Sequence, residues 1–354
     1  MMKMWALLLG IAGLGSSVYG QHVSVKQLEQ FLAQDRAAQR TDEQVAQQLA
    51  HFELTERLTE SAADRVFSEF HPGKKAAAAL ELMADQSVFL SPPASELPHK
   101  DVPTAAEQQR IIEAAVNFAT VTLKHMPNFL ATRTTASFED VPVITSDSAF
   151  QSGLHSMGTS VRETAYRDGH EVADNAPVTR RAGLTSVGEF GQDLGIIVTD
   201  AAKGSIAWSH WEQTSAGLVA VFQYAVPRVV SHYKIYFCCG WSATANDQVS
   251  YEGTPGYHGL LSIDPSSGAI LRATLEVEFA NYDPAPHYGI AVQYRAVDID
   301  GQKSVLPLRS VSIGNATTFA RGRAWRNLYV DDVRFTNYHR FGSTVRIFPS
   351  TPDP

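Results

Sequence analysis

Residues 257–278 read YHGLLSIDPSSGAILRATLEVE, an apolar run entering the turn Asp264-Pro265-Ser266-Ser267-Gly268 and a second apolar run leaving it. Pro presets φ, Gly tolerates positive φ, and Asp or Ser side chains bond the local backbone, so these five residues spell a turn. The flanking runs then read as two antiparallel strands. In the outgoing run Ile270, Arg272, Thr274, Glu276 and Glu278 alternate with Leu271, Ala273, Leu275, Val277 and Phe279. That alternation describes a sheet with one dry and one wet face. Asp264 is read as turn chemistry in preference to a catalytic acid.

Working outward, GLVAVFQYAV (217–226) sets Leu218, Ala220, Phe222 and Tyr224 opposite Val219, Val221, Gln223 and Ala225. A strand apolar on both faces is covered on both sides, whether by helices of the same chain or by a bound apolar ligand. From Asn128 to about residue 348, short runs rich in β-branched and aromatic residues recur between turn signals. Asp168-Gly169 and Asp300-Gly301 are two-residue hairpin turns of the type that needs positive φ at both positions. One helix interrupts the strands: Ser186 and Glu189 read as its cap, Phe190, Leu194, Ile197 and Ala201 as its stripe, and Lys203-Gly204 as its end.

Before Asn128 the period changes to that of helices. Capping boxes are legible at Ser24…Gln27, Thr41…Gln44 and Thr104…Glu107. Apolar stripes follow each, such as Val25, Leu28, Phe31 and Leu32 behind the first. Residues 91–103, SPPASELPHKDVP, carry four prolines and break the pattern. The chain opens MMKMWALLLGIAGLGSSVYGQ, in which one Lys precedes an apolar run and small residues approach a cleavage position. That pattern predicts a cleaved secretory signal, too short to span a bilayer. The predicted organisation is a signal peptide at 1–20, a helical region at 21–90, a Pro-rich linker at 91–103 and a helix plus antiparallel β domain at 104–350. The fold class is α+β: an N-terminal helical segment, then a mainly antiparallel sheet with a helix laid across it.

Composition and motifs narrow the function. With 29 Lys+Arg against 37 Asp+Glu, the formal net charge is −8, which disfavours phosphate-backbone binding and sets nucleic acid aside. No nucleophile elbow, His-Glu-x-x-His helix or phosphate loop is present, and nothing points to a cofactor or a metal. His170-Glu171 are successive strand residues and diverge; His210, His232, His258 and His287 sit singly on strands. Asp331 and Asp332 also diverge and read, with Arg334, as a solvated charge cluster. Cys238-Cys239 are adjacent, too close for an ordinary intrachain bridge, leaving a reduced pair, a vicinal disulfide or an intermolecular bridge. The aromatic density peaks over 205–257, where alternation puts Trp208 and His210 on one face and Trp211 on the other. On a dry face such aromatics are core and on an exposed face they suit ligand contact; if the chain has a pocket, Trp208, His210, Phe222, Tyr224, Tyr233 and Tyr236 are its predicted lining.

Several stretches taken in order carry a resemblance. They are a helix ending Met-Pro-Asn-Phe before LATRTTASFED, then FQYAV, GLLSIDPSSG, LPLRS and NYHRFG. This series resembles a group of uncharacterised exported bacterial proteins. The segment 128–348 is similar in strand order and turn placement to the half-barrel of periplasmic lipoprotein carriers and related anti-sigma-factor-binding sensors. That resemblance implies a curved antiparallel sheet that wraps a helix and can hold acyl chains. The resulting expectation is an exported envelope protein, in the periplasm or beyond the cell. It is expected to act without catalysis, to bind a lipid, a lipoprotein acyl chain or a partner protein, and not to span the membrane once the signal is cleaved. The alternatives are a hydrolase of envelope polymers using carboxylates and histidines that converge in space, or a structural component of an envelope complex.

Overall fold

A computed structural model describes residues 20–122, 126–172, 189–242, 247–279 and 286–340, with the backbone alone at 122, 237–242, 247–251 and 320. The predicted signal segment, the predicted cap residue Ser186 and the side chains of Cys238 and Cys239 lie outside the described residues.

The N-terminal helices are α1 (Val25–Ala37), α2 (Asp42–Leu49), α3 (Glu60–Phe70) and α4 (Lys74–Gln86). The capping boxes at Ser24 and Thr41 form in both directions. The stripes meet in one cluster of Val25, Leu28, Leu32, Leu49, Val66, Leu80 and Met83. Periodicity missed a parallel pair of three-residue strands, β1 (Gln21–Val23) and β2 (Phe52–Leu54), which are too short to show alternation. Residues 91–103, read as a linker, hold a one-turn 3-10 helix at Ala94–Glu96. They are tied down on both sides: Thr59 Oγ1 donates to Glu96 Oε2 at 2.5 Å, and Trp211 Nε1 donates to the Asp101 carbonyl at 2.8 Å. Helix α5 (Ala105–Asn117) is capped by Thr104 in one direction only, because the Glu107 carboxylate accepts from Arg110 instead of reaching back.

The strands are β3 (Phe129–Asp140), the small hairpin β4 (Pro142–Ile144) and β5 (Ala149–Gln151), β6 (His155–Arg167) and β7 (His170–Val172). Helix α6 (Gln192–Ala201) precedes β8 (Ser205–Thr214), β9 (Gly217–Val226) and a separate hairpin of β10 (Ile235–Ser242) and β11 (Asp247–Gly253). Then come β12 (Gly256–Ile263), β13 (Ile270–Glu278), β14 (His287–Ile299), β15 (Gln302–Ala320) and β16 (Arg323–Arg340). Ten of them form one curved antiparallel sheet in the order β7-β6-β3-β16-β15-β14-β13-β12-β9-β8, and its ends do not close into a barrel. Asp168 and Gly169 (φ 51° and 85°) and Asp300 and Gly301 (φ 52° and 83°) make the predicted tight turns. Helix α6 begins at a left-handed Gly191 rather than on a Ser186…Glu189 box, and its stripe Phe190, Leu194, Ile197 and Ala201 is buried as predicted.

The opening hairpin is a docking device. Asp264 accepts from the Ser266 N–H at 3.0 Å, from Ser266 Oγ at 2.8 Å and from Ser267 Oγ at 2.5 Å. Arg110 of α5 donates to the Pro265 carbonyl at 2.8 Å. Gly268 has φ +77°, and a Cβ there would lie 2.4 Å from the Ala114 carbonyl carbon of α5. The turn is shaped to receive that helix.

Over the strands from β16 to β8 the sheet is packed against helices and the N-terminal region. On the inner face α5 and α6 pack against Phe222, Tyr224, Tyr257, Leu261, Ala273, Leu275 and Ile290. On the outer face the N-terminal region contributes Leu82, Val88 and Phe89 against Val311, Ile313, Leu328 and Val330. Both faces of β9 are buried, Phe222 and Tyr224 on one side and Val219 and Val221 on the other. The predicted wet face of β13 is wet only toward Glu278, because Arg272 donates to the Val88 carbonyl beneath the N-terminal region. Asp332 is likewise buried rather than solvated, while Asp331 diverges to the inner face.

Phe89 sits where Gly289 leaves room: a Cβ there would lie 2.6 Å from Phe89 Cζ. Gly289→Ala is expected to push the ring out of its seat at a cost of about 1–3 kcal/mol, typical of overpacking. Urea denaturation should show the lower midpoint, and limited proteolysis should cut 91–103 faster. An unchanged midpoint would mean that Phe89 contributes nothing to holding the N-terminal region on the sheet.

Candidate binding site

The predicted lining residues separate. Phe222 and Tyr224 are buried on the inner face, where Tyr224 Oη donates to the Thr274 carbonyl at 2.6 Å. Tyr233 is buried beside Tyr257, ring centroids 5.7 Å apart. Tyr236 is exposed on β10. Trp208 is half-buried, with its ring edge-on to Trp211 at 5.0 Å and to Phe222 at 5.5 Å. Simple alternation fails here. A bulge at Ser209 pairs Trp208 with Phe222 but His210 with Val221, so Trp208 and Trp211 share the inner face and His210 turns outward. On the outer face His210 Nε2 lies 3.5 Å from Glu212, which also pairs with Arg57 of the N-terminal region at 2.5 Å.

The sequence did not bring out a set of acids on the inner face. Arg133 of β3 lies 3.2 Å from Glu189 and 3.6 Å from Glu171 of β7. Ser310 Oγ of β15 donates to Glu189 Oε1 at 3.2 Å. Asp193, on the first turn of α6, is buried beside them, and burial, followed by the charges of Glu189 and Glu171, pushes its carboxyl well above the usual range. Burial holds the hydroxyls of Tyr224, Tyr233, Tyr257, Tyr288 and Tyr294 above the usual range, and the Asp193 charge adds to it. At the other end of α6, buried Asp200 accepts from the His232 N–H at 2.7 Å, from His232 Nδ1 at 2.5 Å and from Tyr257 Oη at 2.9 Å. Asp200 thereby ties the helix end to the segment after β9. One signal was available: Asp193, Ile197 and Asp200 fall on the helical period of the buried stripe, which places acids on an apolar face.

Two more groupings lie outside. On the outer face His258 approaches Glu278 at 3.4 Å and Glu276 at 3.9 Å, and His287 approaches Glu276 at 3.9 Å. Burial raises the Glu276 carboxyl and lowers the His287 imidazole. Among the described residues no group of three His, Cys, Asp or Glu side chains is set to hold a metal ion. At the sheet's edge β7 pairs only with Ala165, Tyr166 and Arg167, so β6 from His155 to Thr164 has β3 on one side and no described strand on the other. A bulge opposite Ser137 and Phe138, with Gly158 at φ +113°, leaves Thr159–Thr164 as the regular part of that edge. Val161 is 65% exposed and Met157 40%, and Val143, Ile144 and Phe150 are exposed on the neighbouring β4–β5 hairpin.

No family model matches this chain, and no curated protein matches it. Among solved structures, it is similar at 10% identity to a chain of the Pseudomonas aeruginosa MucA/MucB complex, over 66% of this chain and 98% of that one, with a TM-score of 0.19. A second structure, of MucB in complex with MucA(peri), aligns at 10% identity over 65% and 94% of the two chains, with a TM-score of 0.16. A likeness at this level assigns neither activity nor partner.

Proposed function

We propose that this protein is exported and works without catalysis, accepting an extended segment of a partner protein as an added strand along β6. The observation that carries this reading is the open edge at Thr159–Thr164. A row of unpaired N–H and C=O groups is a template for another strand, and natural sheets blunt such edges with Pro, Lys or covering segments. The stretch Thr-Ser-Val-Arg-Glu-Thr contains neither Pro nor Lys. An apolar ligand has less to recommend it. The inner concavity that would hold acyl chains is filled by α5 and α6, with Phe222 and Tyr224 already packed.

The test exploits strand geometry. Successive residues send their N–H groups to opposite sides, so of Val161→Pro and Arg162→Pro one removes a rung to β3 and the other removes a donor from the open edge. Peptides selected from a displayed random library on the mature protein are the probe. The variant that keeps the wild-type melting temperature is expected to bind them about tenfold more weakly or worse, a loss of about 1.4 kcal/mol. Undiminished binding by that folded variant, or a stoichiometric lipid in native mass spectra of the purified protein, would overturn the reading.

A further inference from the structure

Two hairpin tips meet at one end of the sheet. The β4–β5 turn runs Thr145-Ser146-Asp147-Ser148 and is closed by the Thr145 N–H, which donates to the Ser148 carbonyl at 2.8 Å. The β15–β16 turn is centred on Arg321 and Gly322, both at positive φ (52° and 71°), as a tight two-residue hairpin requires. Arg321 reaches across and donates to the carbonyls of Thr145, at 2.7 Å, and Ser146. Gln151 of β5 donates to the Arg326 carbonyl at 2.7 Å. The two tips are held side by side.

Their side chains are poorly suited to water. Val143, Ile144, Phe150 and Phe319 are 39–53% exposed, and none of the four belongs to a buried cluster among the described residues. Val143 stands opposite Phe150 across its hairpin. Trp325 is half-buried, with the Arg323 guanidinium 5.2 Å from its ring centroid. Register puts Arg323 and Trp325 on one face of the β15–β16 hairpin and Phe319 and Arg326 on the other. Each face thus carries one aromatic ring and one cation, which suits entry end-on. The charge runs against that of the whole chain. Residues 143–150 and 319–326 hold three arginines and one acid, Asp147, in a protein of formal net charge −8.

Exposed apolar groups rimmed by polar ones mark a surface that meets a partner, and the mixture selects the partner. A purely apolar surface would desolvate the arginines without a counter-ion. A purely anionic one would leave Phe150 and Ile144 in water. An anionic lipid surface takes both. Headgroup phosphates accept from guanidinium groups, the acyl boundary buries the aliphatic and aromatic tips, and tryptophan favours the level between. We infer that the paired tips dock this protein reversibly on a bilayer containing anionic phospholipid. Ile144, Phe150 and Phe319 enter the acyl boundary, Arg323 and Arg326 meet headgroup phosphates, and Arg321 keeps the tips together. This goes beyond the β6 edge and does not depend on it. The tip residues lie outside Thr159–Thr164, and reversible adsorption leaves no stoichiometric lipid on the purified protein.

The experiment is co-flotation of the protein with vesicles of phosphatidylglycerol and phosphatidylcholine in equal parts, and with vesicles of phosphatidylcholine alone. Binding is expected to the first, about tenfold or more weaker to the second, and falling as salt rises. Arg323→Gln combined with Arg326→Gln is expected to weaken binding to the anionic vesicles about tenfold or more. Lys26→Gln combined with Lys74→Gln removes the same charge from exposed positions of the N-terminal region and should leave binding near wild type. Phe150→Ser should weaken binding about tenfold as well. All these positions are exposed, and a wild-type melting temperature shows that each variant is folded. Phospholipid brominated in its acyl chains should quench part of the tryptophan fluorescence, and Trp325→Phe should lack that quenching. The inference is overturned if the folded arginine variant or folded Phe150→Ser binds anionic vesicles like wild type, or if wild type binds neither vesicle. Capture of polyglutamate without vesicle binding equally overturns it, and marks the tips as a seat for an acidic polypeptide.

Discussion

Gly259→Ala is expected to destabilise the sheet severely. Gly259 lies in β12, between β9 and β13, and Tyr224 sends its hydroxyl past it to the Thr274 carbonyl of β13 at 2.6 Å. A Cβ on Gly259 would stand 1.9 Å from that carbonyl oxygen and 2.9 Å from Tyr224 Oη. No rotamer change relieves a contact with backbone, so β12 and β13 would have to separate at this point. Tyr224 would lose its acceptor while remaining buried among Phe222, Tyr257 and Leu275, an unmade hydrogen bond worth about 1–3 kcal/mol. Overpacking adds about 1–3 kcal/mol. Together these come to about 2–6 kcal/mol, which reaches the lower end of the roughly 5–15 kcal/mol that holds an ordinary domain folded. The expected result is insoluble expression, or a urea midpoint far below wild type with loss of the near-ultraviolet signal from the packed aromatics. Tyr224→Phe in the wild-type background isolates the hydroxyl and should cost much less. A Gly259→Ala protein as stable as wild type would mean that the close passage of Tyr224 is not part of the fold.

Local chemistry was legible in the sequence and pairings across the chain were not. The turn at 264–268, the two Asp-Gly turns and the caps at Ser24 and Thr41 are made by neighbours in sequence, so composition and spacing suffice to read them. The stripe of α6 was legible for the same reason, down to Ala201. Alternation worked until an extra residue entered. At Ser209 a single bulge moved His210 to the outer face, because a period of two carries no record of insertions. The site on the inner face was invisible for a different reason. Arg133, Glu171, Glu189 and Ser310 come from four elements spread over 178 positions, and each alone reads as an ordinary polar residue. Glu189 in particular read as a cap. What buries it is the sheet, and the partner that would have identified it stands 121 residues away. The histidines show the same limit: His258 and His287 looked solitary, yet strand order brings both beside Glu276.

Arg309→Met is expected to detach the N-terminal region from the sheet. Arg309 of β15 holds Asp332 of β16 at 2.7 Å and also pairs with Asp85 of α4. Arg334 completes the group with Asp332 at 3.1 Å and Glu81 at 2.8 Å. Asp85 and Asp332 are almost fully buried, so removing Arg309 takes the nearer cation from the Asp332 carboxylate and the hydrogen-bond donor from Asp85, a loss of about 3–5 kcal/mol. With two arginines against three acids, the group is balanced only when one acid carries a proton. Burial first, opposed by Arg309 and reinforced by the charge of Asp332, pushes Asp85 up to about 8. An unfolded aspartate titrates near about 3.9, so docking takes up a proton between these two values. The contribution of Asp85 is therefore fully present below about pH 4 and is lost as pH rises through about 8, with a slope of at most about 1.4 kcal/mol per pH unit for one proton. Urea midpoints followed from pH 5 to 9 should fall in wild type more steeply than in Asp85→Asn, which keeps the shape without the titration. Arg309→Met should lie below both throughout. Parallel wild-type and Asp85→Asn curves would place the proton on another acid of the group, and an unchanged midpoint in Arg309→Met would show that Leu82, Val88 and Phe89 alone hold the N-terminal region in place.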